Sequence, residues 1–282
     1  MVADEYWFHA ADGLKLFSRV YPGPSPTAPV VMCLHGLLRN SRDFEDLAPH
    51  LAKRYRVIVP DVRGRGLSER DRNPTNYQFP VYIADIQRLL AALGVGRLSI
   101  VGTSMGGLIA MVMAATDPNL IARIVLNDVG PEIDPAGLER IRGYAGRSAS
   151  VNTWEEARQQ LKVAFGVAWP DMPQSRWSHL ARRAYRADAS GVLHADADPA
   201  IGEVIRNSPA AAPDLWPLWK TLVRTPILAL RGEISDVLSA ATLTRMQAEK
   251  PDLKAVVVAN RGHVPLLDEP EALEAIDAFL VG

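Results

Sequence analysis

The segment Val101-Gly102-Thr103-Ser104-Met105-Gly106-Gly107 sets a serine between glycines, after the apolar run Leu98-Ser99-Ile100-Val101 and before a longer apolar stretch. A G-x-S-x-G pentapeptide at a strand-to-helix turn holds its serine on a tight elbow with the hydroxyl exposed above the sheet. Packing at a tight turn is the competing reading for that hydroxyl. A serine hydroxyl attacks a carbonyl only if a base removes its proton. Six histidines are available: His9, His35, His50, His179, His194 and His263. His263 stands apart, because "NRGHVPLLDEP" follows the last apolar strand run and precedes the last amphipathic stretch. Loops at the carboxyl ends of strands are where ligands meet an open α/β sheet. A base of this kind needs a carboxylate to orient it. Glu233 and Asp236 in "RGEISDVLS" follow one strand run, and Asp128 in "VLNDVGP" follows another.

Positioning these groups requires a sheet. The runs "VVMCL", "RVIVPD", "LSIVG", "RIVLND", "PILALRG" and "AVVVAN" are short and apolar on both faces, as strands of a parallel sheet covered on both sides are. Between them lie helical patterns over about 43–53, 80–93, 105–116 and 240–250, with a final helix over 269–280. Alternating strands and helices predict an α/β fold with a doubly wound, mostly parallel sheet. Near the start, 6–9 and 16–21 read as a hairpin turning at Asp12-Gly13. Residues 131–217 contain no buried-strand run and read as helices near 136–147, 154–165, 174–186 and 199–206. Thr153 and Glu156 form a capping box at the second of these. The tryptophans Trp154, Trp169, Trp177 and Trp216 concentrate in this stretch, and Trp154, Trp169 and Trp177 are expected to wall an apolar pocket as well as to join small helices.

Taken together, these motifs resemble those of the α/β-hydrolase fold, and the resemblance spans nearly the whole chain. His35-Gly36 is similar to that family's oxyanion-loop motif, and Asp61-Val62-Arg63-Gly64-Arg65-Gly66-Leu67-Ser68 to its D-x-R-G-x-G-x-S segment. Gly102 to Gly106 is similar to its nucleophile elbow and Gly262-His263 to its histidine loop. The resemblance implies Ser104 as nucleophile, His263 as general base and then acid, and the amides of Leu37 and Met105 as oxyanion donors. It selects Asp236 as the acid, with Asp128 as the alternative, because Asp236 occupies the family's usual acid position. It assigns 1–130 and 218–282 to the core and 131–217 to a helical cap insertion. His35, Arg63 and Arg65 are expected to brace loops rather than to act on substrate.

The implied activity is that of a serine hydrolase cleaving an ester, a lactone or a similar small acyl substrate. The alternatives are a carbon–carbon bond hydrolase of the meta-cleavage-product type, which has a similar Ser-Met-Gly-Gly elbow, and a slow or non-catalytic small-molecule binder on the same fold. Relatives that open epoxides or displace halide carry aspartate at the elbow, so Ser104 argues against both. Composition narrows the partners. Thirty-one Lys and Arg against 32 Asp and Glu leave a formal charge of −1, which offers no basic excess for nucleic acid. No apolar run is long enough to span a membrane. No metal-ligand spacing and no dinucleotide glycine fingerprint occur, so neither a metal nor a cofactor is expected. The lone Cys33 reads as a buried hydrophobe, and the polar, acidic start lacks a signal-peptide pattern, giving an expected cytoplasmic location.

Overall fold

A computed structural model describes residues 2–147, 150–208 and 213–281. Eight strands form one sheet in the order β1-β2-β4-β3-β5-β6-β9-β10. β1 (Asp4–His9) and β2 (Lys15–Tyr21) form the expected hairpin, and β2 runs antiparallel to β4 (Arg56–Asp61). From β4 onward every pairing is parallel, through β3 (Val30–Leu34), β5 (Leu98–Thr103), β6 (Ile121–Asn127), β9 (Ile227–Gly232) and β10 (Lys254–Val258).

The apolar strand runs supply two cores. In β3, Met32 and Leu34 join one cluster while Val31 and Cys33 join the other. This is the two-residue alternation of a pleated strand buried on both faces. α2 (Phe79–Ala92), α3 (Met105–Thr116) and α9 (Ala240–Glu249) contribute to the first cluster. α1 (Leu47–Leu51) and α10 (Pro270–Val281) contribute to the second. The helix expected over 43–53 is shorter than its pattern. A 3-10 turn at Ser41–Phe44, capped by the Asn40 side chain, precedes α1.

Between β6 and β9 lie α4 (Pro135–Tyr144), α5 (Trp154–Phe165), α6 (Gln174–Ala184) and α7 (Pro199–Asn207), close to the expected helices. The capping box of Thr153 and Glu156 is present at the start of α5. Two features depart from an all-helical segment. β7 (Tyr185–Ala187) and β8 (Leu193–Ala195) pair as a small antiparallel ribbon, and α8 (Trp216–Trp219) adds a short helix before β9. Three-residue strands are too short to display a periodicity in sequence. The segment has a small core of its own, which includes Leu161, Trp169, Trp177, Leu180 and Tyr185.

Candidate active site

β5 ends in Thr103 and α3 begins at Met105, leaving Ser104 alone to reverse the chain. Its φ of 51° and ψ of −114° place an L-residue where few reside, a strain of about 1–3 kcal/mol that the surroundings must enforce. The glycines on either side show how. A Cβ on Gly102 would lie 2.5 Å from the Gly106 carbonyl oxygen, and one on Gly106 would lie 2.2 Å from that of Leu34. Strand and helix backbones thus meet too closely for side chains, and the serine hydroxyl is left facing out of the elbow.

The Ser104 hydroxyl donates to His263 Nε2 at 2.9 Å. His263 Nδ1 donates to Asp128 Oδ2 at 2.8 Å. His263 is 6% exposed and Asp128 fully buried, so the chain of hydrogen bonds lies where water competes little. The carboxylate facing the imidazole is therefore Asp128, and the expectation for Asp236 is corrected. Asp128 follows β6, the strand beside β5, and adopts a positive φ of 57°. Its Oδ1 accepts from the Gly232 amide at 2.8 Å, and its Oδ2 accepts a second bond, from Ser235 Oγ, at 2.6 Å. The last residue of β9 and the loop after it, expected to carry the acid, instead supply donors that hold the Asp128 carboxylate. Asp236 turns outward to α4, where Arg140 Nε and Nη2 grip both of its oxygens at 2.5 and 2.8 Å. Burial raises the Asp236 carboxyl, but the Arg140 guanidinium outweighs this and leaves it below the ordinary carboxylate range. Glu233 is also turned away, accepting from the Asn260 amide.

The loop after β3 is braced from beneath. His35 Nδ1 donates to the Gly36 carbonyl at 2.8 Å, and its Nε2 accepts from the Val62 amide at 3.1 Å. Burial pushes the His35 imidazole down to about 4, so at neutral pH it is a neutral bridge between two loops. Arg65 donates to the Leu37 carbonyl at 2.9 Å and to the Arg63 carbonyl and Tyr82 hydroxyl. Arg63 forks onto Asp85 and reaches Asp12 and Asp71. Both arginines are 1% exposed and brace the loop after β4, as expected. Leu37 lines the cavity above Ser104. Met105 is the first residue of α3, and first-turn amides have no partner within their own helix.

The segment between β6 and β9 also contributes to the lining of that cavity: Ile141 and Tyr144 of α4, Phe165 of α5, Trp169 and Leu180 border it together with Ser104 and His263. Of the three tryptophans expected to wall the pocket, only Trp169 lines it. Trp177 lies behind Trp169, with ring centroids 5.5 Å apart, and Trp154 packs under the Arg182 guanidinium. An aromatic in a short helical segment carries no sequence mark that separates wall from packing. Arg39, Asn127 and Ser235 were not legible as site residues. Asn127 ties Thr103 Oγ1 to the Pro265 carbonyl, joining the elbow strand to the histidine loop. Among the described residues, no group of three or more His, Cys, Asp or Glu side chains is placed to hold a metal ion, and no helix is long and apolar enough to cross a membrane.

Known proteins share this architecture. A solved α/β hydrolase from Novosphingobium aromaticivorans is 43% identical, with a TM-score of 0.94, over 100% of this chain and 99% of that one. A 3-hydroxybutyrate-oligomer hydrolase from Cupriavidus necator is 33% identical over 259 residues, covering 90% of this chain and 88% of the relative. A 2-(acetamidomethylene)succinate hydrolase from Mesorhizobium japonicum is 30% identical over 258 residues, covering 90% and 88%. The model of the α/β-hydrolase fold matches residues 29–270. With the parallel sheet, the elbow at Ser104 and these matches in agreement, the chain belongs to the α/β-hydrolase family.

Proposed function

We propose that the protein is a serine hydrolase that cleaves a small ester or lactone through an acyl-enzyme. One observation carries this reading: His263 bridges the Ser104 hydroxyl and the Asp128 carboxylate at 2.9 and 2.8 Å. Ser104 Oγ attacks the acyl carbon while His263 Nε2 takes its proton. The amides of Met105 and Leu37 receive the carbonyl oxygen as it gains charge, each such donor being worth about 3 kcal/mol of barrier. Collapse breaks the bond to the leaving alcohol, which takes the proton from His263. Water then attacks the ester to Ser104 by the same route, releasing the acid and the free serine. Asp128 holds Nδ1–H of the imidazole, so Nε2 is free to act as base, and its charge stabilises the imidazolium. Residues 131–217 act as a cap that supplies the apolar walls and excludes water. The curated relatives named above are both hydrolases, and the two substrates in their names differ, so they support hydrolysis and leave the acyl group open.

The test is labelling with a fluorophosphonate followed by peptide mass spectrometry, alongside turnover of p-nitrophenyl esters. The adduct is expected on Ser104, and Ser104→Ala is expected to abolish both labelling and turnover. Full activity in Ser104→Ala, or an adduct on another residue, would overturn the proposal. Ligand-induced thermal stabilisation without turnover or labelling would favour a binder instead.

A further inference from the structure

The wall of the site cavity carries Arg39, Arg176 and Arg183 against Asp43 and Asp46. Three cations in one wall of the cavity call for acceptors. Two of the arginines are spoken for by the frame: Arg176 pairs with Asp268, and Arg183 with Glu45 and Asp46. Arg39 is placed differently. It sits on the oxyanion loop itself, two residues past Leu37. A Cβ built on Gly36 would lie 3.6 Å from Arg39 Cγ and 3.8 Å from Ser104 Cβ, so the two side chains flank the same point. Asp43 accepts from Nε at 2.8 Å and Nη2 at 2.5 Å, which fixes one edge of the guanidinium. Among the described residues Nη1 donates no hydrogen bond, and the Phe165 ring lies 5.9 Å from the guanidinium carbon. Arg39, Leu38, Tyr144 and Phe165 also line a second cavity, between the loop after β3 and the segment between β6 and β9, so Arg39 belongs to the walls of both cavities.

We propose that Arg39 is a carboxylate anchor, and that the substrate is an ester or lactone whose acyl chain ends in a carboxylate. This rests on the serine hydrolase reading of the same site. The chain would run from the carbonyl at Ser104 toward the partition between the cavities, where its carboxylate meets the open edge of the guanidinium. Asp43 pre-orients that edge, so little conformational freedom is lost on binding. A planar guanidinium presents two parallel donors to a carboxylate, and a charged pair of this kind out of bulk water is stronger than a neutral one. A neutral acyl chain would leave the open edge without an acceptor, and the site would discriminate against it.

The experiment compares p-nitrophenyl monoesters of succinic, glutaric and adipic acids with neutral p-nitrophenyl esters of matched chain length. In the wild type, at least one carboxylate ester is expected to exceed its neutral counterpart in kcat/KM by about ten- to hundredfold, the range of a hydrogen bond to a charged group. In Arg39→Gln that ratio is expected to fall toward one, whatever the change does to both esters together, and Arg39→Lys, which keeps the charge, is expected to retain part of it. Free glutarate is expected to raise the melting temperature of the wild type and not of Arg39→Gln, a readout independent of turnover. Equal or lower kcat/KM for all three carboxylate esters would overturn the proposal, as would a preference that persists in Arg39→Gln. If neither ester class turns over, the hydrolase reading fails separately. Dicarboxylate binding then still decides the anchor: loss of glutarate stabilisation in Arg39→Gln supports it, and no stabilisation of the wild type refutes it. Should Arg39→Gln fail to fold, a wild-type preference that fades with salt and falls in Arg39→Lys supports the anchor, and one unmoved by either overturns it.

Discussion

Asp128 and Asp236 divide two tasks that a single loop sequence cannot separate. Asp128 receives three donors, from the Gly232 amide, Ser235 Oγ and His263 Nδ1. Three donors hold the carboxylate in place, which the proposed orienting role requires. Asp236 is committed to Arg140. The expected outcome is that Asp128→Asn lowers kcat by up to about 10⁴-fold, because the amide leaves the imidazole in the wrong tautomer. Asp236→Asn is expected to leave kcat within about tenfold of wild type. Steady-state kinetics on one p-nitrophenyl ester decides the matter, and the reverse pattern would reinstate Asp236. Ser235→Ala is an intermediate case. It removes one donor from Asp128 and is expected to lower kcat more than it raises KM.

At the scale of elements, the site depends on loops held in register at the carboxyl ends of β3, β4, β5 and β6. His35 joins the first two through Gly36 and Val62. Its imidazole titrates near 4 in the fold against an ordinary value of 6.5, because burial disfavours the charged form. Between these values the unfolded chain binds a proton that the folded chain refuses. Stability is therefore complete above about pH 6.5 and falls as the pH drops toward 4. The loss attributable to this group is about 3 kcal/mol at most. Urea unfolding at stepped pH is expected to show a shallower decline between pH 6.5 and 4 in His35→Asn than in the wild type. Parallel slopes would mean that His35 is not the linked group. The asparagine is also expected to reduce kcat, since the Leu37 amide rides on the same loop.

Across the whole molecule, the segment between β6 and β9 is fastened to the sheet at contacts of unequal depth. Trp169 Nε1 donates to the Val264 carbonyl at 2.8 Å, and the Gly262 amide donates to the Ala168 carbonyl at 2.7 Å, so the segment grips the loop on both sides of His263. Arg140 and Asp236 join α4 to the loop after β9 at a partly exposed position. Trp169→Phe keeps an aromatic wall and leaves the Val264 carbonyl without its donor. A loss of about 1–3 kcal/mol in unfolding free energy is expected, with a fall in kcat as His263 loosens. Arg140→Gln is expected to cost about 1 kcal/mol or less, since a partly exposed ion pair contributes little. Denaturant titration of the two variants measures both figures, and a larger loss for Arg140→Gln would reverse the ranking.

How much of this was legible beforehand follows from how local each determinant is. The elbow at Ser104, the loop of His263, the apolar strands and the helices α3 and α5 rest on neighbours in the chain, such as glycine against glycine or Thr153 against Glu156. The ribbon of β7 and β8 was not legible, because three-residue strands carry no period. Neither was the choice among Trp154, Trp169 and Trp177, nor the placing of Arg39 beside Ser104. The acid shows the difference most sharply. By sequence alone, Asp128 and Asp236 are both carboxylates shortly after a strand. Which one meets His263 depends on β6 lying between β5 and β9, on the donors Gly232 and Ser235 arriving from the end of β9 and the loop after it, about a hundred residues on, and on Arg140 claiming the other carboxylate. Residue types and short spacings are written in the chain, whereas the partner of a buried charge is selected by the donors that surround it in three dimensions.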